Sequence, residues 1–269
     1  MASGQSVHDE IRAERKKLKG KGLKANLEYF WDYYKIHTIV AIFAIILLAI
    51  LIRDIRNNKP YGFYAMMLNC GASEAQTAME DEFAPIAGID TTTYDCLIDT
   101  TSSFHTQTFD ELTVATSQKI MAVMSAKELD VIAADIPTML FYANQETFLD
   151  LRTVYSEEEL QSLSDRLIYV DQAYLDYLAS EEYQTYISTG EFDKNNKFAV
   201  MADNYNKTLS YDEQSPDTME QPVPIAIKLT GSQVVDKYGL YYGQECAVAV
   251  VINSQHTDVD MKYIDYLLK

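Results

Sequence analysis

Residues Ile36 to Ile52 (IHTIVAIFAIILLAILI) form a run of 17 residues that contains no Asp, Glu, Lys or Arg. Tyr33, Tyr34 and Lys35 extend it at one end to the about 20 residues that a helix needs to cross the apolar core of a bilayer. In lipid, a single segment can satisfy its own backbone hydrogen bonds only as a helix. The sequence therefore predicts one transmembrane helix at residues 36–52, between a short N-terminal part and a long C-terminal part.

The charges on either side of this run predict its orientation. Eight Lys and Arg residues precede it, whereas three lie between it and residue 61. The cytoplasmic flanks of membrane helices carry the excess of Lys and Arg. Tyr29, Phe30, Trp31, Tyr33 and Tyr34 also suit an aromatic belt at the inner interface. We expect a single-pass protein of the cell membrane, held in the lipid bilayer by one helix, with a cytoplasmic N-terminus and an extracellular C-terminal domain.

Two alternatives compete with a membrane anchor. The core helix of a soluble protein is not expected to lack charge on all sides or to be preceded by a cluster of Lys and Arg residues. A cleaved signal peptide has an apolar core of about 7–15 residues and a small-residue cleavage site. Here 35 residues precede the core, Arg53 to Arg56 follow it without a small pair, and no Cys marks a lipoprotein signal. An uncleaved signal anchor fits these features best.

The chain is accordingly divided into a basic tail with interfacial aromatics (1–35), the transmembrane helix (36–52), a polar stem (53–60) and an extracytoplasmic domain (61–269). The last part contains 11 of the 22 Lys and Arg and 34 of the 40 Asp and Glu, a formal net charge of −23. This charge repels nucleic acid and anionic lipid, so no nucleic-acid partner is expected. It keeps the domain soluble, or it attracts cationic ligands such as basic peptides or polyamines, and both interpretations stay open.

Apolar runs and helical patterns alternate through residues 61–269. Buried strands are predicted from apolar runs bounded by turn residues; they are Tyr61–Asn69, Thr93–Ile98, Leu129–Ala134, Val223–Leu229 and Cys246–Ile252. Helices are predicted from apolar spacing and capping residues; they are Ala75–Phe83, Thr108–Ala126, Ile136–Ala143, Glu157–Leu163, a pair across 171–188, and Asp258–Leu268. Residues 190–221 are interpreted mostly as loop. The pattern predicts an α/β domain with a mainly parallel sheet covered on both faces.

Signatures of catalysis are missing from the sequence. It contains no zinc-protease, nucleophile-elbow or phosphate-loop motif, and no CxxC pair. Cys70, Cys96 and Cys246 lack metal-ligand spacing; buried structural thiols and one Cys70–Cys96 bridge both remain open. His105 and His256 lie beside polar loops and are interpreted as surface residues. We expect no enzyme, no metal site and no cofactor.

Small polar residues follow three of the predicted strands. They occupy Asn69 to Ser73, Asp99 to Ser103 and Thr230 to Ser232. Ligands of open α/β sheets bind at the carboxyl ends of the strands. Helix capping needs the same residue types, so each loop taken singly also fits a structural role. Their expected convergence predicts a shallow ligand cleft, with Tyr241 or Tyr242 as a stacking wall; its polar residues are Ser73, Thr101, Ser102, Thr230 and Ser232.

Three fragments resemble the extracellular solute-binding proteins of bacteria, with the type 2 periplasmic-binding-like fold. They are LDVIAADIPTMLFYANQETFLDLRTVYSEEELQSLSDRLIYV from Leu129, PIAIKLTGS from Pro224, and AVAVVINSQHTDVDMKYIDYLL from Ala247. The last fragment contains a strand, an Asn-Ser turn and a closing helix, and it looks like the part of the family fold in which a strand returns to a lobe. The anchor with its FWDYYKIH preamble resembles single-pass proteins of Gram-positive bacteria.

The resemblance implies a membrane-anchored extracytoplasmic domain that binds a solute or peptide and serves an ABC-type transporter. The chain departs from it by being short, and the shortfall lies in Asp165 to Gln221, so a reduced second lobe is expected. The alternative is a non-enzymatic interaction or assembly module at the outer face of the membrane, in which a degenerate binding-protein fold contacts a protein partner.

Overall fold

One long helix precedes an α/β domain in the structure, a computed structural model that describes residues 22–57, 59–108 and 110–269. The chain divides between Lys59 and Pro60 into two units. Helix α1 runs from Gly22 to Asn57. Its segment Tyr34–Asp54 is long and apolar enough for a membrane span or signal anchor, and none of it is buried. The helix includes the start of the predicted stem, and positions 1–21 of the predicted tail lie outside the described residues.

A single six-stranded sheet organises the second unit. Its strands are β1 (Tyr61–Leu68), β2 (Asp95–Asp99), β3 (Val131–Asp135), β4 (Leu167–Asp171), β5 (Pro222–Lys228) and β6 (Cys246–Val250). Their order across the sheet is β2-β1-β3-β6-β5-β4. β1 is parallel to β2 and β3, whereas the other three pairs are antiparallel. The prediction of a mainly parallel sheet is therefore wrong, and the sheet is mixed. Strands that are buried on both faces have the same apolar character in either direction.

Nine further α-helices surround or extend this sheet in the described part of the unit. They are α2 (Gln76–Ala87), α3 (Glu111–Ser125), α4 (Ile136–Ala143), α5 (Glu157–Ser162), α6 (Gln172–Leu178), α7 (Glu181–Thr189), α8 (Lys197–Thr208), α9 (Gln233–Tyr238) and α10 (Thr257–Leu267). All five predicted strands are present, with ends that differ by one or two residues. The predicted capping box is also present, since Ser156 and Glu159 bond each other's backbone amides at the start of α5.

Two elements depart from the prediction. Strand β4 has no counterpart among the predicted strands, and helix α8 lies in the stretch 190–221, for which the sequence predicts mostly loop. Asn196 caps α8, because its side chain accepts a hydrogen bond from the Phe198 amide at 3.0 Å. The buried residues of α8 are the small Ala199 and Ala202. A helix with a small inner face and a polar exterior gives only a weak apolar period.

The core lies on both faces of the sheet. Alternate residues of β1 point in opposite directions: Phe63, Ala65 and Met67 pack on the face covered by α2 and α10, while the opposite face is covered by α3 and α4. A third cluster joins α6, α7 and α8 around Tyr174, Tyr177 and Tyr186. This cluster belongs to the segment where a reduced second lobe was expected. Within the residues described, that segment contributes β4 to the one sheet and forms no sheet of its own.

Candidate functional site

The sheet opens between β5 and β6. In the part of the chain that the structure describes, these strands pair through Ile227 with Val248 and Lys228 with Ala247, and the Leu229 amide donates to the Cys246 carbonyl oxygen at 2.9 Å. Farther along β6, its pairing position is taken by the segment 147–149, which lies after α4. The Leu149 amide donates to the Val250 carbonyl oxygen at 2.9 Å, and the Ile252 amide donates to the Thr147 carbonyl oxygen at 2.9 Å. A gap therefore separates the first half of β5 from the end of β6.

A cavity of about 740 Å³ occupies this gap. Its buried lining is apolar and comes from one face of the sheet and the helices over it; it consists of Ala143, Phe148, Val170, Leu175 and Ile225. Polar side chains that are exposed or half-buried surround the opening; they are Glu146, Asp150, Arg152, Gln172 and Gln221. Small-molecule sites have volumes of about 300–1,000 Å³ and combine an apolar wall with a few polar groups. This cavity matches both properties.

Local structure holds the polar opening in place. Asp171, at the end of β4, accepts hydrogen bonds from the amides of Ala173, Glu220 and Gln221. It thereby caps α6 and fixes the chain that leads into β5. The Gln172 amide donates to the Gln221 carbonyl oxygen at 2.9 Å. Gln172 and Gln221 are consequently neighbours on one side of the opening.

Arg152 and Asp150, at the opening of the cavity, form an ion pair whose charges cancel. The guanidinium of Arg152 donates to Asp150 from Nη2 at 2.7 Å and from Nε at 2.9 Å. Burial opposes ionisation of Asp150, but the hydrogen bonds from Arg152 outweigh it and lower the pKa of that carboxyl. The same bonds raise the pKa of Arg152. Both groups therefore stay charged at neutral pH and cancel each other.

Glu146 is the carboxylate at the opening that has no cationic partner among the described residues. Its one hydrogen bond comes from Gln172 Nε2 and is long, at 3.4 Å. Glu146 also has a φ of +55°, in the left-handed region that side chains other than glycine rarely adopt. The opening of the cavity thus carries one net negative charge.

The residues of the predicted cleft lie at the other end of the sheet, measured along the strands. β3 and β5 are both antiparallel to β6, and β1 and β2 run parallel to β3. The carboxyl ends of β1, β2 and β5 therefore lie at the same end of the sheet. The loops after β1 and β2 are in contact there: the Asn69 amide donates to the Ser102 carbonyl oxygen at 3.1 Å, and Thr100 Oγ1 donates to the Ser73 carbonyl oxygen at 3.3 Å. The cavity instead lies where β5 begins and β6 ends.

Several hydroxyls of the predicted cleft have partners within the chain. The hydroxyls of Thr101 and Ser102 both donate hydrogen bonds to Asp99, which also accepts a hydrogen bond from Lys119 Nζ at 2.7 Å. Burial raises the pKa of Asp99, but these bonds outweigh it and lower the pKa to about 2. Ser232 is buried and caps α9, since its Oγ accepts from the Val235 amide at 3.1 Å. Ser73 donates to Glu74, while Thr230 is exposed.

The two predicted stacking residues differ in exposure. Tyr241 is 1% exposed and Tyr242 is 77% exposed, so only Tyr242 presents a ring to solvent. The Tyr241 amide donates to the Cys70 carbonyl oxygen at 2.8 Å, and the Tyr242 hydroxyl donates to the Gly71 carbonyl oxygen. Both tyrosines have positive φ, +59° and +49°. Their loop is therefore held in a strained conformation against the turn after β1.

Two buried carboxyl groups, those of Asp130 and Asp260, contact the chain just after Ile252 of the cavity lining. Ser254, two residues after Ile252, places its hydroxyl 2.8 Å from Asp130 and 2.6 Å from Asp260. Both acids are 0% exposed. His256 Nδ1 lies 3.1 Å from Asp130. One hydroxyl donates only one proton, so both contacts are hydrogen bonds only when one of the two carboxyls is protonated and donates to Ser254. Burial, with the nearby Asp130 charge, raises the pKa of Asp260 to about 7.

The three thiols are free. Of the two interpretations of the cysteines, separate thiols apply, and Cys70 is not joined to Cys96. Burial raises the pKa of Cys96 to about 12, and the nearby Glu80 adds to this effect. In the part of the chain that the structure describes, no group of three or more His, Cys, Asp or Glu side chains is arranged to hold a metal ion.

Sequence reasoning missed the cavity because its lining comes from separate segments. One signal was present: β5 contains Pro222 and Pro224, and proline occurs in strands where a side of the ladder is open. No family of proteins, no curated protein and no solved structure matches this chain significantly.

Proposed function

We propose that this protein is a membrane-anchored extracytoplasmic domain that binds a small solute or peptide in the cavity between β5 and β6. The observation that carries the proposal is the 740 Å³ cavity with an apolar, buried lining and a polar opening. Burial of the apolar part of this lining is favourable when a ligand displaces its water.

Two further features support the proposal. Helix α1 has the length and apolar character of an anchor. Helix α10 also follows β6, which is the order of strand, turn and closing helix in the fragment that resembles solute-binding proteins. An ABC-type transporter as the partner, and an extracellular location, rest on that resemblance and on the charge asymmetry.

The test is ligand-dependent stabilisation of the full chain. Amino acids, short peptides, sugars and polyamines are screened for a rise in the melting temperature, because a ligand that binds only the folded state stabilises it by RT ln(1 + [L]/Kd). Ile252 lines the cavity and is 53% exposed, so Ile252→Trp fills the opening without disturbing the core. Ile187, 55% exposed and outside the cavity lining, gives the matched control Ile187→Trp. We expect the stabilisation to disappear in the first variant and to persist in the second.

An interaction or assembly module is the second candidate function. Helix α3 exposes Leu112 and Met121, which are 65% and 69% exposed. A groove of about 250 Å³ beside α3 is lined by Phe104, Phe141 and Leu209. Exposed apolar surface of this kind is typical of protein contacts. If no compound raises the melting temperature, but Leu112→Asp with Met121→Asp abolishes a complex that the full chain forms in its membrane, this second function replaces the first.

A further inference from the structure

The first residues of β5 present hydrogen-bond acceptors without donors on the side that faces away from β4. The Gln172 amide donates to the Gln221 carbonyl oxygen at 2.9 Å, and the antiparallel register of β4 and β5 continues from this pair. Hydrogen-bonded pairs alternate with non-bonded pairs along such a register, so Val223 bonds to β4, whereas Pro222 and Pro224 direct their backbone groups to the other side. Because proline has no N–H, this side presents only carbonyl oxygens at Pro222 and Pro224.

Strand β6 does not pair with these two oxygens in the part of the chain that the structure describes. Its ladder with β5 extends only as far as Ile227. The Val251 amide would lie across from Pro224 if the ladder continued, but it donates to the Asp130 carbonyl oxygen at 2.8 Å. Pro222 lines the cavity. Its carbonyl oxygen and that of Pro224 are therefore available to a donor that enters the gap between the strands.

Glu146 adds a carboxylate to this group of acceptors. Gln172, whose amide bonds Gln221 just before Pro222, places its Nε2 3.4 Å from Glu146 Oε1. The same Nε2 lies closer to Asp176 Oδ1, at 3.1 Å, so it holds Glu146 weakly. The one cation of the described lining is occupied by its ion pair. The opening therefore offers a carboxylate and carbonyl oxygens, side by side, without a free cation.

This set of acceptors selects a cation that carries several donors. A primary ammonium group has three N–H donors and no acceptor, so it suits the Glu146 carboxylate and the carbonyl oxygens together. A carboxylate on the ligand would supply no donor and would be repelled by Glu146. Residues 61–269 also carry a net charge of −23, which attracts cations on approach. The buried wall, which includes Phe148 and Leu175, suits an apolar body attached to the ammonium group.

We propose that the cavity binds a primary amine with a single apolar body. Its ammonium group donates to Glu146 and to the Pro222 carbonyl oxygen, and its aliphatic or aromatic part packs against Phe148 and Leu175. This inference rests on the proposed function and adds the class of ligand. It requires both a positive charge and N–H donors, so the two requirements are tested separately.

The experiment measures the affinity of four compounds for the full chain in nanodiscs of zwitterionic lipid by calorimetry. Empty nanodiscs are the blank for partition into lipid. The compounds share a phenylbutyl body and end in a primary ammonium, a trimethylammonium, a hydroxyl or a carboxylate group. The trimethylammonium compound keeps the charge without donors, and the alcohol keeps a donor without the charge. The primary amine should bind about tenfold or more tightly than each of the other three.

Variants of the protein assign the charge. Glu146→Gln should weaken the primary amine about tenfold, because it removes the anion from a charge-assisted hydrogen bond, and should leave the alcohol unchanged. Glu191, an exposed acid that does not line the cavity, gives the matched control Glu191→Gln, which should change neither affinity. Equal affinities for the primary amine and the trimethylammonium compound, or for the primary amine and the carboxylate, would overturn the inference. An amine affinity that Glu146→Gln leaves unchanged would also overturn it.

The outcomes also separate this inference from the proposed function. If a sugar or an amino acid stabilises the protein, the stabilisation is lost in Ile252→Trp, and the primary amine does not bind, the ligand class fails and the binding function stands. If neither the amine nor any other compound binds, both fail.

Discussion

The backbone amide of Leu149 donates to the carbonyl oxygen of Val250 at 2.9 Å, at a position beside β6 that β5 leaves open. This hydrogen bond holds the segment 147–149 as one wall of the cavity. Leu149→Pro removes the donor and is expected to lower the free energy of unfolding by about 1–3 kcal/mol, since a buried acceptor is left without its partner. It should also abolish ligand-dependent stabilisation.

Leu149→Ala is the matched control for this change, because it keeps the amide and removes the side chain. Urea unfolding and the melting-temperature screen are measured for both variants. Retained ligand binding in the proline variant would show that the segment is not needed for the cavity.

Protonation of Asp260 makes stability depend on pH. An Asp with an unperturbed pKa of 3.8 and a folded pKa of about 7 binds a proton more tightly in the folded state. Its stabilising contribution is complete below about pH 4 and is lost as pH rises through about 7. Each pKa unit corresponds to about 1.4 kcal/mol, so the contribution is up to about 4 kcal/mol.

Asp260→Asn should remove this dependence, because the amide donates to Ser254 at every pH. We expect the variant to be more stable than the parent protein at pH 8 and similar to it near pH 4, as measured by urea unfolding. The exposed Asp258 lies on the same helix and gives the control Asp258→Asn. A parent-minus-variant difference that stays constant from pH 4 to 8 would exclude a proton on Asp260.

Gly71 and Tyr242 are coupled by close packing. Gly71 has a φ of +73°, and a Cβ atom there would lie 2.1 Å from Cε2 of Tyr242. Gly71→Ala should therefore lower the free energy of unfolding by the about 1–2 kcal/mol that a positive φ costs alone, plus a smaller loss from displacing the exposed Tyr242 ring and its hydrogen bond to Gly71. In the background of Tyr242→Ala, the same change should cost less, since the overlap is gone. Additive costs in urea unfolding would contradict this contact.

The predicted orientation is tested on cells from which the wall has been removed. Added protease should degrade residues 61–269 and spare a tag at the N-terminus, because eight Lys and Arg precede the apolar run and three follow it closely. Protection of the C-terminal domain would place it in the cytoplasm and remove the basis for an extracellular ligand.

Sequence patterns predicted the central strands well, because short runs such as Cys246–Ile252 are apolar at every position and are typical of strands that are buried on both faces. They failed on strand direction, since direction depends on how distant segments pair. They also missed β4, although it is as long as β2, β3 and β6. The end of the sheet at which the loops that contain Ser73 and Ser102 meet was predicted from the order of strands and loops. Capping of α9 by Ser232 and the bonds of Thr101 and Ser102 to Asp99 depend on packing that one-dimensional patterns do not contain. The cavity depends on where β5 and β6 separate, which is likewise a tertiary property.

The most direct test of ligand binding in the cavity is methyl NMR of the full chain in nanodiscs, with and without the compound that raises the melting temperature most. Val170, Ile225 and Ile252 line the cavity, while Val234 follows the loop of the predicted cleft and Ile187 lies outside both. We predict that the methyl resonances of Val170, Ile225 and Ile252 shift with a common dissociation constant and that those of Val234 and Ile187 do not. Unchanged cavity resonances, with shifts at Val234 instead, would contradict the account and assign the ligand to the other end of the sheet.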